Sequence, residues 1–372
     1  MEILLIILAA FAMIGLVDDL LGNKLGVAND FTQGMASMGS LAIPYAGFYC
    51  VGISFMQRYA DTIAGLTSGL PFDPSLLISC VLCADTGGLP VAQRLAESLE
   101  MGIFTGALVG GGMGLTLGFQ MPIFMSTVDK DHMPLFMQGI GYGLITLPVG
   151  LVVGGIMLGL PGGSLLLNIA PVAVLCVILL LGFRYKLEGS IRVLIALGNV
   201  LRVVGYVLFS LVVLGAFIPN AAVSDPALTE EILFVVLRTT VVTCGGLVMS
   251  SLVIRYCKKP LEVLTRLLHV NTYSIIGILV SCVSGVAMLP FVPKMDKRGL
   301  VMNAAFVFCG AYVIGGQMAF VSSTIPGEYM PAYIVNKLLS GLVAAGVAIA
   351  LVKPEKAGEL VILQPEETRA SA

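Results

Sequence analysis

The sequence has little charge. Only 11 % of its 372 residues are Asp, Glu, Lys or Arg, while 58 % are hydrophobic, more apolar surface than a soluble domain of this length needs. The formal net charge of −2 suggests no nucleic-acid partner. Histidine is scarcer still: His132 and His269 are the only two, both near segment ends, which leaves little for a metal site or imidazole catalysis. The eight cysteines include one C-x-x-C, Cys80 and Cys83, without a second pair or a nearby histidine, so small core residues are favoured over a redox or metal pair. The N-terminus lacks a basic segment ahead of its apolar run and is read as a retained first span rather than a cleaved signal.

What is present is a series of apolar runs of about 20 residues, long enough to cross a hydrocarbon core of roughly 30 Å. The expected fold is an all-α polytopic membrane protein with about nine full spans and two broken helical hairpins. Full spans are expected at 2–22, 35–55, 101–125, 133–158, 164–183, 203–218, 233–254, 299–322 and 330–352. Two further apolar segments carry breaks. One is 74–98, interrupted at Asp85-Thr86-Gly87-Gly88-Leu89-Pro90; the other is 272–293, interrupted around Ser284-Gly285 and Pro290. Each suits a re-entrant hairpin, whose open backbone survives at membrane depth only where protein or a water-filled cavity satisfies it. Residues 57–67, 258–269 and 186–202 are expected as interfacial helices, and 353–372 as a polar cytoplasmic tail. The abundant glycine, 44 residues, allows close helix packing.

If both hairpins return to the side they enter from, the basic residues divide unequally between the two faces. Fifteen, among them Lys24, Arg184, Arg255, Lys294 and Lys353, fall in one set of loops; only Arg58 and Arg94 fall in the other. The positive-inside rule then places the N-terminus outside and the C-terminus in the cytoplasm of a bacterial inner membrane.

A weak internal repeat underlies this pattern. At an offset of 197, Gly102 aligns with Gly299, Ala107 with Ala304, Gly118 with Gly315, Gln120 with Gln317, Met121 with Met318 and Met133-Pro134 with Met330-Pro331. A first repeat over 1–158 and a second over 186–352, joined by the odd span 164–183, must be inverted relative to each other. Inverted repeats with opposed broken helices are a recurrent plan of secondary transporters, with substrate held at the repeat interface.

The candidate site follows. A carboxylate in hydrocarbon costs several kcal/mol and is kept where it meets water, a cation or a substrate. Asp85 at a half-helix end therefore reads as a cation ligand, with Thr86 as a hydroxyl partner and Gly87 and Gly88 as the close-approach backbone. Gln120, Gln317 and Asn303 could hold the polar end of a solute, and Ser284 and Gly285 would form the second tip. The bland readings are an ion pair for Asp85 and interhelical hydrogen bonds for the amides. Among the bases near spans, Arg202 and Lys337 are expected to snorkel to an interface, while Arg238 has no clear placement.

Four stretches resemble the bacterial ethanolamine-utilisation permease family, EutH. They are Phe31-x-x-Gly34-x-x-x-Met38-Gly39-x-Leu41-Ala42; Asp85-x-Gly87-Gly88 with Ala92 and Leu95-Ala96; Leu267-Leu268-x-Val270-Asn271 with Met295-Asp296-x-Arg298-Gly299 and Asn303-x-Ala305-Phe306; and Lys337-Leu338-x-x-Gly341-x-x-Ala344-x-Gly346-Val347-Ala348. The resemblance implies uptake of ethanolamine, with Asp85 taking the ammonium and Gln120, Gln317 or Asn303 the hydroxyl. It implies neither catalysis nor a cofactor; coupling to Na+ or H+ and homo-oligomerisation stay open. The alternatives are a coupled carrier of another small polar metabolite and a passive channel for small amines. A membrane enzyme would need a nucleophile and base that the sequence does not bring near Asp85.

Overall fold

Apolar runs become helices because a backbone in lipid must satisfy its own hydrogen bonds. All regular secondary structure among the described residues is helical. The computed structural model describes residues 2–354 except 37, 53, 55–57, 60, 61, 63, 64, 66–68, 87, 219–225, 257 and 315. The tail from 355 and most of the interfacial segment expected at 57–67 lie outside the described residues.

In chain order the helices are α1 (Glu2–Leu20), α2 (Ala28–Ala36), α3 (Met38–Ala46), α4 (Ser75–Ser79), α5 (Gly88–Leu95), α6 (Leu99–Thr127) and α7 (Met133–Met157). There follow α8 (Gly162–Tyr185), α9 (Leu187–Phe217), α10 (Pro226–Tyr256), α11 (Lys258–Leu268), α12 (Thr272–Val283), α13 (Lys297–Gly310), α14 (Gly316–Thr324) and α15 (Met330–Leu351). Six of the described helices, α6 to α10 and the one ending in α15, are long and apolar enough to cross a membrane, which makes the chain a multi-pass membrane protein. Met133-Pro134 and Met330-Pro331 each open a helix, where the missing proline N–H costs nothing.

Two expectations are corrected. The span expected over 299–322 is not one helix: α13 stops at Gly310, the chain runs extended through Ala311, and α14 begins at Gly316. Tyr312 there adopts a positive φ of 61°, and the Tyr312 and Ile314 N–H groups donate to the Ser281 and Cys282 carbonyls of α12 at 3.1 and 2.9 Å. Backbone freed by the break is thus satisfied by the neighbouring broken segment. The separate interfacial helix and span expected at 186–202 and 203–218 are a single helix, α9, since nothing between Arg192 and Arg202 interrupts its hydrogen bonding.

Both hairpin segments break where expected. In the first, α4 ends at Ser79, a short 3₁₀ turn covers Ala84–Thr86, and α5 runs back. In the second, α12 ends at Val283 and a 3₁₀ stretch covers Val286–Lys294. The two ends of each segment are tied together. The Asp73 carboxylate accepts from the Glu97 N–H at 3.0 Å, and the Asp296 carboxylate accepts from the Asn271 N–H at 2.7 Å.

The packing core is formed by α7, α13 and α15, each against the other two, with α6 beside them. Lipid tails are as apolar as leucine, so close van der Waals fit holds such helices together. The first hairpin leans on α6 along Gly110, Gly114 and Gly118. A Cβ added at Gly114 or Gly118 would lie 2.2 Å from the Leu82 carbonyl oxygen or 1.8 Å from that of Val81. Only glycine lets the helix back the open carbonyls of the tip. Along this face α6 winds wider than an α-helix, so that the Met121 N–H reaches the Thr116 carbonyl five residues back.

Candidate functional site

The break in the first hairpin sets Asp85 in the 3₁₀ turn, half-buried, between buried Ala84 and buried Gly88. Cys83 donates its S–H to Asp85 Oδ1 at 2.8 Å. From the start of α14, Gln317 Nε2 donates to Cys83 Sγ at 3.0 Å and to the same Asp85 oxygen at 3.4 Å. The Tyr333 hydroxyl, on α15, donates to Gln317 Oε1 at 3.0 Å, which fixes the amide with its NH₂ toward the carboxylate. Asp85, Cys83, Gln317 and Tyr333 thus form one continuous network drawn from three elements. Gly88 closes the turn by donating its N–H to the Cys83 carbonyl at 3.0 Å. Gly87 lies outside the described residues, as does the side chain of Thr86.

Gln120 stands at the other break. It lies on α6, and a Cβ added at Gly285 would fall 2.3 Å from its Nε2, so the second tip closes directly on the amide. Thr116 donates to Gln120 Oε1 at 3.2 Å, whereas Gln120 Nε2 is buried and makes no hydrogen bond among the described residues. Ser284 caps the turn, its oxygen accepting from the Ala287 N–H at 3.3 Å. Each glutamine therefore faces the break of the opposite half of the chain.

Asn303 is not brought to either tip. It sits in the first turns of α13, and its Nδ2 donates to the Ser274 and Gly299 carbonyls, both at 2.8 Å. That ties α12 to α13 near the base of the second hairpin, the interhelical role that amides commonly take in membranes.

Lys337 corrects the expectation of snorkelling. It is only 1 % exposed, and its ammonium donates to the Ala311 carbonyl just past the end of α13. Its Nζ lies 5.7 Å from the centre of the Tyr333 ring, within the range of a cation–π contact. The Asp85 charge lies within electrostatic reach of it, but Lys337 and Asp85 form no direct ion pair among the described residues. The surroundings account for the burial: a buried charge needs a hydrogen-bond partner and an opposite charge nearby, and here the carbonyl just past the break after Gly310 supplies the first and the tip of the first hairpin carries the second. Arg202 is half-buried and donates to the Met125 carbonyl in the last turn of α6 at 3.3 Å; Arg238 is exposed on α10.

Reading the sequence passed over Cys83, Tyr333 and Lys337 as site residues. Cys83 stands two residues before Asp85. Tyr333 and Lys337 are four apart on one helix and so share a face, and a base eight residues into an apolar helix was a signal in itself. Among the described residues no group of three or more His, Cys, Asp or Glu side chains could hold a metal.

The chain is similar to known proteins over nearly its whole length. The chain is 26 % identical over 362 residues to a protein of Listeria monocytogenes named "Probable ethanolamine permease EutH", covering 96 % of this chain and 97 % of that one. It is 28 % identical over 353 residues to the "Uncharacterized protein YxeR" of Bacillus subtilis, 92 % of each chain. It is 25 % identical over 394 residues to the "Probable ethanolamine permease EutH" of Escherichia coli, 96 % of each. No solved structure matches. The profile of the family described as "Ethanolamine utilisation protein, EutH" matches residues 1–351, and the chain belongs to that family.

Proposed function

We propose that the protein is a membrane carrier that takes up ethanolamine, binding it between two inverted halves by alternating access. One observation carries the reading: a half-buried carboxylate at a helix interruption, Asp85, oriented by Cys83 and Gln317 rather than neutralised by a contacting base. Such a group holds an ammonium at the cost of little reorganisation. Gly88 closes the same turn, and Thr86 and Gly87 are assigned to the ammonium with it from their place in the sequence, while the Gln120 amide and the Ser284 hydroxyl, beside Gly285, are assigned to the alcohol end. Asn303 braces the second hairpin.

The names of the relatives support the same substrate. The crosswise placement of Gln317 on the first tip and Gln120 on the second supports inversion, because a two-fold axis in the membrane plane exchanges them. The gathering of basic residues at one end supports an inner-membrane orientation with the N-terminus outside and the C-terminus in the cytoplasm. Arg255 donates to the Leu25 carbonyl at 2.6 Å, Asp30 lies within electrostatic reach of Arg255 and Lys294, and Arg298 donates to the Ile349 carbonyl at 2.6 Å. These basic residues gather at one end. Asp73, Glu97, Asn168, Glu100 and Tyr329 meet at the other.

The test is uptake of radiolabelled ethanolamine into proteoliposomes by the wild type and by Asp85→Asn. The wild type is expected to take it up saturably and the variant to lose uptake while inserting normally. Equal uptake by the two removes Asp85 from the site; absence of saturable uptake in the wild type, with another small amine carried instead, changes the substrate.

A further inference from the structure

Lys337 is a primary ammonium buried in the packing core, within the electrostatic field of the carboxylate assigned above to a primary ammonium substrate. Its surroundings form a set. The Ala311 carbonyl accepts from Nζ, the Tyr333 ring lies 5.7 Å away, and the Asp85 charge reaches it from the first tip. A Cβ added at Gly111 would lie 3.4 Å from each of Lys337 Cε, Gln317 Oε1 and Tyr333 Cε2, so the three side chains converge on one spot of α6. A free carbonyl, an aromatic face, an amide oxygen and a carboxylate are the groups that bind an alkylammonium ion.

We infer that Lys337 is a resident competitor of the transported cation: its ammonium, held by the Ala311 carbonyl, shares the field of Asp85 at the tip of the first hairpin without contacting it, and a small primary amine binds against Asp85 by displacing the lysine from that field. This rests on the reading that Asp85 receives the substrate ammonium. The geometry gives the displacement a route. The bond to Ala311 lies in the extended link between α13 and α14, so withdrawal of Lys337 frees a helix C-terminus and its partial negative charge together with the Asp85 field. Lys337 then sets affinity by competition, and a ligand without a positive charge gains nothing by displacing it.

The experiment measures equilibrium binding of radiolabelled ethanolamine to the purified full-length protein at one pH. Lys337→Met, which keeps the length of the chain and removes the charge, is expected to bind at least tenfold more tightly than the wild type. Lys337→Arg, which keeps the charge, is expected to bind no more tightly. In Lys337→Ala, methylammonium is expected to raise the melting temperature, which it does not do for the wild type. Unchanged or weaker binding by Lys337→Met, with binding still lost in Asp85→Asn, overturns the proposal and leaves Lys337 as a helix cap. Binding that survives Asp85→Asn overturns the assignment of the ammonium to Asp85 whatever Lys337 does. Should Lys337→Met not fold, Lys337→Gln, which retains a hydrogen bond to Ala311, is read in its place. Failure of both neutral variants to fold while Lys337→Arg folds also overturns the proposal, because a competitor is dispensable for folding and a structural cap is not.

Discussion

Removing the carboxylate of Asp73 should open the base of the first hairpin while leaving its tip residues untouched. Asp73 is 6 % exposed and accepts three hydrogen bonds: from the Ser75 N–H at 2.9 Å, the Ser75 hydroxyl at 2.5 Å and the Glu97 N–H at 3.0 Å. Only the last crosses from one arm of the hairpin to the other; the first two are local to the entry turn. A hydrogen bond to a charged group contributes about 1.5–3 kcal/mol. Loss of the crossing bond in Asp73→Ala should therefore raise the opening equilibrium of the base by roughly 10- to 150-fold, at 1.4 kcal/mol per tenfold. Hydrogen exchange of the protein in nanodiscs reads this directly, as lost protection in the peptide containing Glu97. Ethanolamine uptake should fall in parallel, because the arms carry Asp85. The second hairpin gives an internal comparison. Asp296 accepts across the base from the Asn271 N–H at 2.7 Å and the Ser274 hydroxyl at 2.8 Å, but Asn271 Nδ2 also donates across it to the Lys294 carbonyl at 2.7 Å, whereas the base of the first hairpin keeps no such bond through Asp73. One crossing bond survives Asp296→Ala, so that base should open less. Unchanged exchange around Glu97 in Asp73→Ala, or greater opening in Asp296→Ala than in Asp73→Ala, would refute the reasoning.

Three other substitutions separate site from scaffold. Gln317→Leu removes the amide that joins Tyr333 to Asp85 and should weaken ethanolamine binding by roughly 30-fold, from about 2 kcal/mol of lost hydrogen bonding; unchanged affinity in a binding assay would take Gln317 out of the site. Gly118→Ala places a Cβ against the Val81 carbonyl and should abolish uptake while the protein still elutes as a folded species, since overpacking costs about 1–3 kcal/mol and must push the tip away; wild-type uptake would show that the tip tolerates displacement. Asn303→Ala should lower the melting temperature but leave ethanolamine affinity within about twofold, because its amide serves Ser274 and Gly299; a large loss of affinity would return Asn303 to the site.

Much of the fold is legible in the sequence because lipid imposes simple rules on it. Apolar runs had to be helices, and glycine, proline and polar clusters inside such runs had to be breaks; the interruptions at Asp85 and at Ser284-Gly285 follow from local composition alone. The 299–322 segment hid its break because Ala311 to Ile314 carry no turn chemistry, and the glycines on either side, Gly310 and Gly315-Gly316, read equally well as close-packing positions in a membrane helix. Ala311 to Ile314 leave the helix since Ser281 and Cys282 of α12 offer their N–H groups other acceptors, which no local pattern reveals. The same holds for the site. That an acid at a helix break is poised for a cation can be argued from Asp85 and its flanking glycines. That the tip also meets Gln317, Tyr333 and a buried Lys337 depends on α14 and α15 crossing the first hairpin more than 200 residues later in the chain. By itself the sequence determined a multi-pass helical membrane protein with two interrupted segments, because hydropathy and backbone satisfaction are local properties. Only the tertiary structure decided which charges meet, because whether a lysine snorkels or stays inside depends on the helix end and the carboxylate that packing brings to it.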